Sequence, residues 1–110
     1  MPRRRSVALA LPFLVAALAA PAADAARTRT VTLEDVAFKP GTLRASRGDR
    51  VRWVWRDGST PHNVRSRGSR RFKGSSTKTE GSHTVRFTRA GTYRYLCTIH
   101  IGMDAKVVVR

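Results

Sequence analysis

"RVRWVWR", residues 50–56, decides the fold. Val51, Trp53 and Trp55 alternate with Arg50, Arg52 and Arg56, a period of two that gathers three large apolar side chains on one face of an extended segment. A helix would scatter the two sets around its axis, whereas a strand separates them. One face is therefore core and the other meets water.

The same alternation recurs on both sides of this segment at intervals of about eight to twelve residues, between turn signals. Upstream, "TVTLEDVAF" (30–38) sets Val31 and Leu33 against Thr and Glu and ends at the "KPG" turn of 39–41, and "TLRAS" (42–46) is a short strand before "RGD" (47–49). Downstream, the breaker-rich loop "DGSTP" (57–61) leads into "HNVRS" (62–66), predicted as a brief strand starting at His62. "RGSRRFKGSSTKTEG" (67–81) has Phe72 as its one large apolar residue and predicts an exposed connection with at most short strand pieces. "SHTVRFT" (82–88), "TYRYLC" (92–97) and "AKVVVR" (105–110) supply the remaining strands. No long amphipathic helix, internal repeat or second domain is visible. The pattern predicts an all-β Greek-key sandwich of seven or eight strands.

Residues 1–26, "MPRRRSVALALPFLVAALAAPAADAA", carry the three parts of a bacterial export signal: Arg3–Arg5, an apolar stretch over Val7–Ala20, and small residues at Ala23 and Ala25 for cleavage. The apolar run is broken by Pro12 and is short of the roughly 20 residues that span a bilayer, so no membrane span is expected in the mature form. Residues 27–110 then form one small domain, predicted to be monomeric, in the periplasm or outside the cell. A domain of this size often needs a staple beyond hydrophobic burial, and with one cysteine in the chain an internal disulfide is excluded. A metal is the staple to look for.

The whole chain has net charge +15; without the signal, 19 Lys+Arg against 6 Asp+Glu leave +13. The basic residues are spread along the chain with no nucleic-acid motif, and an exported protein rarely meets nucleic acid, so that partner is not expected. Anionic lipid, a cell-wall polymer or a protein partner with an acidic face is.

"YLCTIHIGM" (95–103) accounts for the lone thiol. Cys97 ends a strand, and the short loop after it can turn His100 and Met103 toward the same point, with His62 brought from another strand end. Methionine is a poor zinc ligand. Two imidazoles, a thiolate and a soft thioether favour copper, and coordination would shield an exported thiol from oxidation. A cysteine nucleophile with a histidine base is the rival from a different class. It leaves Met103 and the second histidine without a role, so an enzyme is not expected.

These residues resemble the cupredoxins, in the amicyanin and plastocyanin-like branch, over nearly the whole mature chain from "VTLEDVAFKPGTLRASRGDRVRWVW" through "PHNV" to "AGTYRYLCTIHIGMDAKVVV". The resemblance implies a type 1 copper protein carrying single electrons between redox partners, with His62, Cys97 and His100 equatorial and Met103 axial. It further implies that Asn63, next to Pro61 and His62, ties the two ligand loops together, and that electrons leave through His100 beside Ile101 and Gly102. Copper binding or delivery without electron transfer uses the same ligands and is the alternative. Ile101, Ala105 and Trp55 depart from residues common in the family, and none of the three removes a ligand. His83 fits none of these roles and is read as surface.

Overall fold

The computed structural model describes residues 25–110. The export signal expected over residues 1–26 falls outside the described residues, apart from Ala25 and Ala26. Eight strands follow in chain order: β1 Thr28–Glu34, β2 Ala37–Lys39, β3 Thr42–Ala45, β4 Arg50–Trp55, β5 Arg65–Arg67, β6 Ser82–Arg86, β7 Gly91–Leu96 and β8 Asp104–Val109. They form two four-stranded sheets, ordered β2-β1-β4-β6 and β3-β8-β7-β5, in which β1 runs parallel to β4 and β3 parallel to β8. The remaining pairs are antiparallel. No helix appears among the described residues.

The period of two does what the sequence requires of it. On β4, Val51, Trp53 and Trp55 are buried while Arg50 and Arg52 are exposed. Val31 and Leu33 from β1, Tyr93 and Tyr95 from β7, and Val107 and Val109 from β8 meet them between the sheets. Trp53 lies at the centre, T-shaped against Tyr95 at 5.4 Å and stacked on Phe72 at 5.5 Å. Burial pushes the Tyr95 phenol up to about 12, so it stays neutral in the core.

Three local expectations change. The segment 30–38 is not one strand: Asp35 and Val36 adopt positive φ (54° and 52°), forming a two-residue turn between β1 and β2. A β-branched residue rarely accepts that conformation, so the turn needs outside support. The strand predicted to start at His62 begins at Arg65, and His62 instead makes an isolated antiparallel bridge to Lys78. His83 is half-buried against Trp53 at 5.9 Å, and its Nε2 is 2.8 Å from the Lys73 carbonyl, which pins the long connection to the edge of β6.

That connection is tightly docked at one point. Ser75 N donates to the Val64 carbonyl and Ser75 Oγ accepts from Val64 N, both at 2.9 Å. Gly74 permits this approach, because a Cβ there would lie 2.5 Å from the Val64 carbonyl oxygen. At the other pole, buried Asp49 accepts from Arg27 N and Ser46 N at 2.9 Å, closing the turn between β3 and β4 onto the start of β1.

Candidate metal centre

The loop after β7 is closed at its base. Cys97 N donates to the Met103 carbonyl at 2.9 Å and Met103 N donates to the His100 carbonyl at 3.2 Å. Gly102, at φ +84°, takes the left-handed conformation that this tight return demands. The backbone thus curls His100 back over Cys97, whose Sγ lies 3.4 Å from His100 Nδ1. Cys97 and Met103 are buried, and His100 is half-buried.

The second arm arrives from the segment ahead of β5. His62 and Lys78 exchange backbone hydrogen bonds at 3.0 Å in both directions, and Trp55 Nε1 donates to the His62 carbonyl at 2.9 Å. Trp55 therefore anchors the backbone of this histidine, and Lys78 Nζ sits 4.5 Å over the Trp55 ring. Asn63 joins the two arms: its Oδ1 accepts from Thr98 N at 2.9 Å, and its Nδ2 donates to Thr98 Oγ1 at 2.8 Å and Thr77 Oγ1 at 2.9 Å. Pro61, which immediately precedes the histidine, is exposed.

These constraints bring together side chains 35 and 38 residues apart. His62 Nδ1 is 3.1 Å from His100 Nδ1 and 3.9 Å from Cys97 Sγ, and the three donors all lie within 4.8 Å of one another. Bonds of roughly 2.0 Å to nitrogen and 2.3 Å to sulfur, usual for a first-row ion such as zinc, put tetrahedral ligands about 3.3–3.6 Å apart. The donor separations bracket that range. Met103 is buried at the foot of the same loop, directly after the exposed Ile101 and Gly102.

One contributor was missed in the sequence. Asp57, in the breaker loop before His62, puts Oδ2 2.7 Å from His62 Nε2. A carboxylate only accepts, so Nε2 carries a proton here, and in the neutral imidazole Nδ1 then presents its lone pair to the cluster. The same carboxylate accepts from Asp35 N at 3.1 Å and Val36 N at 3.0 Å, the outside support that the β1–β2 turn lacks. The His62 contact first, then the Val36 amide, holds the Asp57 carboxyl below its ordinary 3.8. Sequence offers only a weak signal for this role, an acid five residues ahead of a candidate ligand.

Two four-stranded sheets with a His, Cys, His cluster at one pole define the cupredoxin class of β-sandwich. The family model for copper binding proteins of the plastocyanin/azurin family matches residues 25–110. Amicyanin from Paracoccus denitrificans is 38% identical over 83 residues, covering 72% of this chain and 63% of that protein, just under two thirds of its length. Amicyanin-alpha from Methylorubrum extorquens is 32% identical over 94% of each chain. Among solved structures, an oxidised point variant of amicyanin superposes with a TM-score of 0.68 at 32% identity, covering 76% of this chain and 82% of that one. A purple cupredoxin from Nitrosopumilus maritimus, 22% identical, shares the fold with a TM-score of 0.67 over 74% of this chain and 98% of that one. The chain belongs to the copper-binding plastocyanin/azurin family of cupredoxins, and the donor set fits a single copper ion.

Proposed function

We propose that the protein is an exported type 1 copper electron carrier, holding one ion on His62 Nδ1, Cys97 Sγ and His100 Nδ1, with the Met103 thioether as the weak fourth ligand. Copper bound there would supply one-electron chemistry. The carrying observation is the convergence of three donors within 4.8 Å on two backbone arms already tied by Asn63. A site built before the metal arrives changes little between oxidation states, and small rearrangement favours fast electron exchange.

The residues divide the work. Asp57 keeps the proton on His62 Nε2, Asn63 holds the two arms in register, and the buried Cys97 Sγ lies beneath His100, closed to substrates. That last point favours a carrier over a cysteine enzyme. His100 is the part of the cluster open to solvent, flanked by exposed Ile99 and Ile101, and is the proposed exit for the electron. The surface charge of +13 on residues 27–110 suits brief docking of a monomer to a redox protein with an acidic face. The sequence of residues 1–26 supports placement in the periplasm or outside the cell.

Adding Cu(II) to the purified protein tests the site: an intense thiolate-to-copper charge-transfer band is expected, and Cys97→Ser should abolish it while the circular dichroism stays that of a β-sandwich. Reversible one-electron voltammetry is expected of a carrier. Transfer of copper to an apo-acceptor without a reversible wave would instead assign the protein to copper delivery.

A further inference from the structure

A groove of about 290 Å³ lies away from the metal centre, between the Arg71–Lys73 part of the long connection and the end of β6 with the turn that follows. Tyr93, on its wall, is four residues before Cys97 on β7, about 13 Å away along an extended strand. The wall is aromatic: Phe72, Phe87 and Tyr93 meet edge to face, with centroids 5.4, 6.4 and 4.7 Å apart. Arg71, Lys73, Arg86 and Arg89 also line the groove, and among the described residues no carboxylate does.

Two of the guanidinium groups are held in place by backbone carbonyls. Arg71 Nη1 donates to Ser66 O at 2.9 Å and Arg86 Nε donates to Gly48 O at 3.2 Å. Each keeps further N–H donors free, since a guanidinium has five. The turn bearing Arg89 is fixed by Tyr93 Oη, which donates to the Arg89 carbonyl at 2.8 Å. Among the described residues none of the four cations is in an ion pair. Like charges lining one groove beside aromatic side chains raise a positive potential there, which an entering anion would neutralise. A groove of this volume has room for a compact anion. Guanidinium forks pair with phosphoryl oxygens two at a time, which favours phosphate over a single carboxylate.

We propose that this groove binds a compact phosphate-class polyanion, of about the size and charge of pyrophosphate, on Arg71, Lys73, Arg86 and Arg89. The phosphoryl group comes either from a free anion or from a lipid headgroup, and the test separates the two. The ¹⁵N-labelled protein is titrated with pyrophosphate at ionic strength held constant by sodium chloride. Saturable one-to-one shifts are expected at Arg71–Lys73 and Arg86–Arg89, with binding at least tenfold weaker in the Lys73→Gln/Arg89→Gln double variant. Those two side chains make no hydrogen bond among the described residues, so the variant is expected to fold, and an unchanged far-ultraviolet circular dichroism spectrum checks it.

In a parallel arm, sedimentation with phosphatidic acid vesicles that is reversed by pyrophosphate makes a headgroup the source. Pyrophosphate binding without sedimentation makes it a free anion. The proposal is overturned by shifts spread over the basic surface without saturation, by equal affinity in the double variant, or by vesicle binding that pyrophosphate does not reverse. Citrate binding as tightly as pyrophosphate would also overturn it, assigning the groove to carboxylates such as those of an acidic protein face.

Discussion

His62 can turn Nδ1 toward the cluster because Nε2 is already committed to Asp57. The contact selects the tautomer, and outer partners of this kind set both the orientation and the basicity of a ligand. An ionised carboxylate one imidazole away from the metal favours the more positive Cu(II) state. Asp57→Asn removes that charge and supplies a single acceptor oxygen where three donors converge. The reduction potential should rise by roughly 60 mV, a tenfold shift in the balance of the two states, as read by voltammetry. In the metal-free protein, nitrogen NMR of the His62 ring should report a loss of the pure Nε2–H tautomer. A potential and tautomer both unchanged would reduce Asp57 to a support for the β1–β2 turn.

The elements are held by contacts that strand propensity does not supply. The connection between β5 and β6 looks like a free loop, yet its Gly74–Ser75 pair is seated on the backbone of Val64, directly after Asn63. Gly74→Ala drives a methyl group into the Val64 carbonyl oxygen, and the strain should destabilise the fold by about 1–3 kcal/mol, measurable by urea unfolding. At the far end of β4, Asp49 ties the β3–β4 turn to the start of β1 through Arg27 N, Ser46 N and the Arg29 side chain. The Arg27 amide first, then that of Ser46, lowers the Asp49 pKa from 3.8. A carboxyl depressed in the folded state stabilises above its unfolded pKa, and that stabilisation is lost as pH falls through the folded value. Asp49→Asn should therefore cost about 1–3 kcal/mol near neutrality. Its melting-temperature deficit against the parent should shrink once pH drops below 3.8.

For the whole molecule, the proposed carrier role has charge acting on encounter while the sandwich holds the site. An excess of +13 over residues 27–110 acts over about 30 Å at 0.01 M salt but only about 10 Å at 0.1 M. Stopped-flow electron transfer to an acidic redox partner should slow steeply across that interval, whereas transfer to a neutral small-molecule oxidant should not. Much of this architecture was legible in advance, because alternation such as that of Val51, Trp53 and Trp55 is a property of the backbone period and needs no knowledge of neighbours. His62, Cys97 and His100 were legible as candidate metal donors, since ligand chemistry depends on residue type. Asp57, Gly74 and the docking of the long connection were not, because each depends on which surface a loop folds back upon. The sequence by itself determined which side chains alternate and which donors are available. Tertiary structure alone decided that a loop acid would meet both a strained turn and the outer nitrogen of His62, because contacts between segments distant in the chain exist only once the sheets have closed on one another.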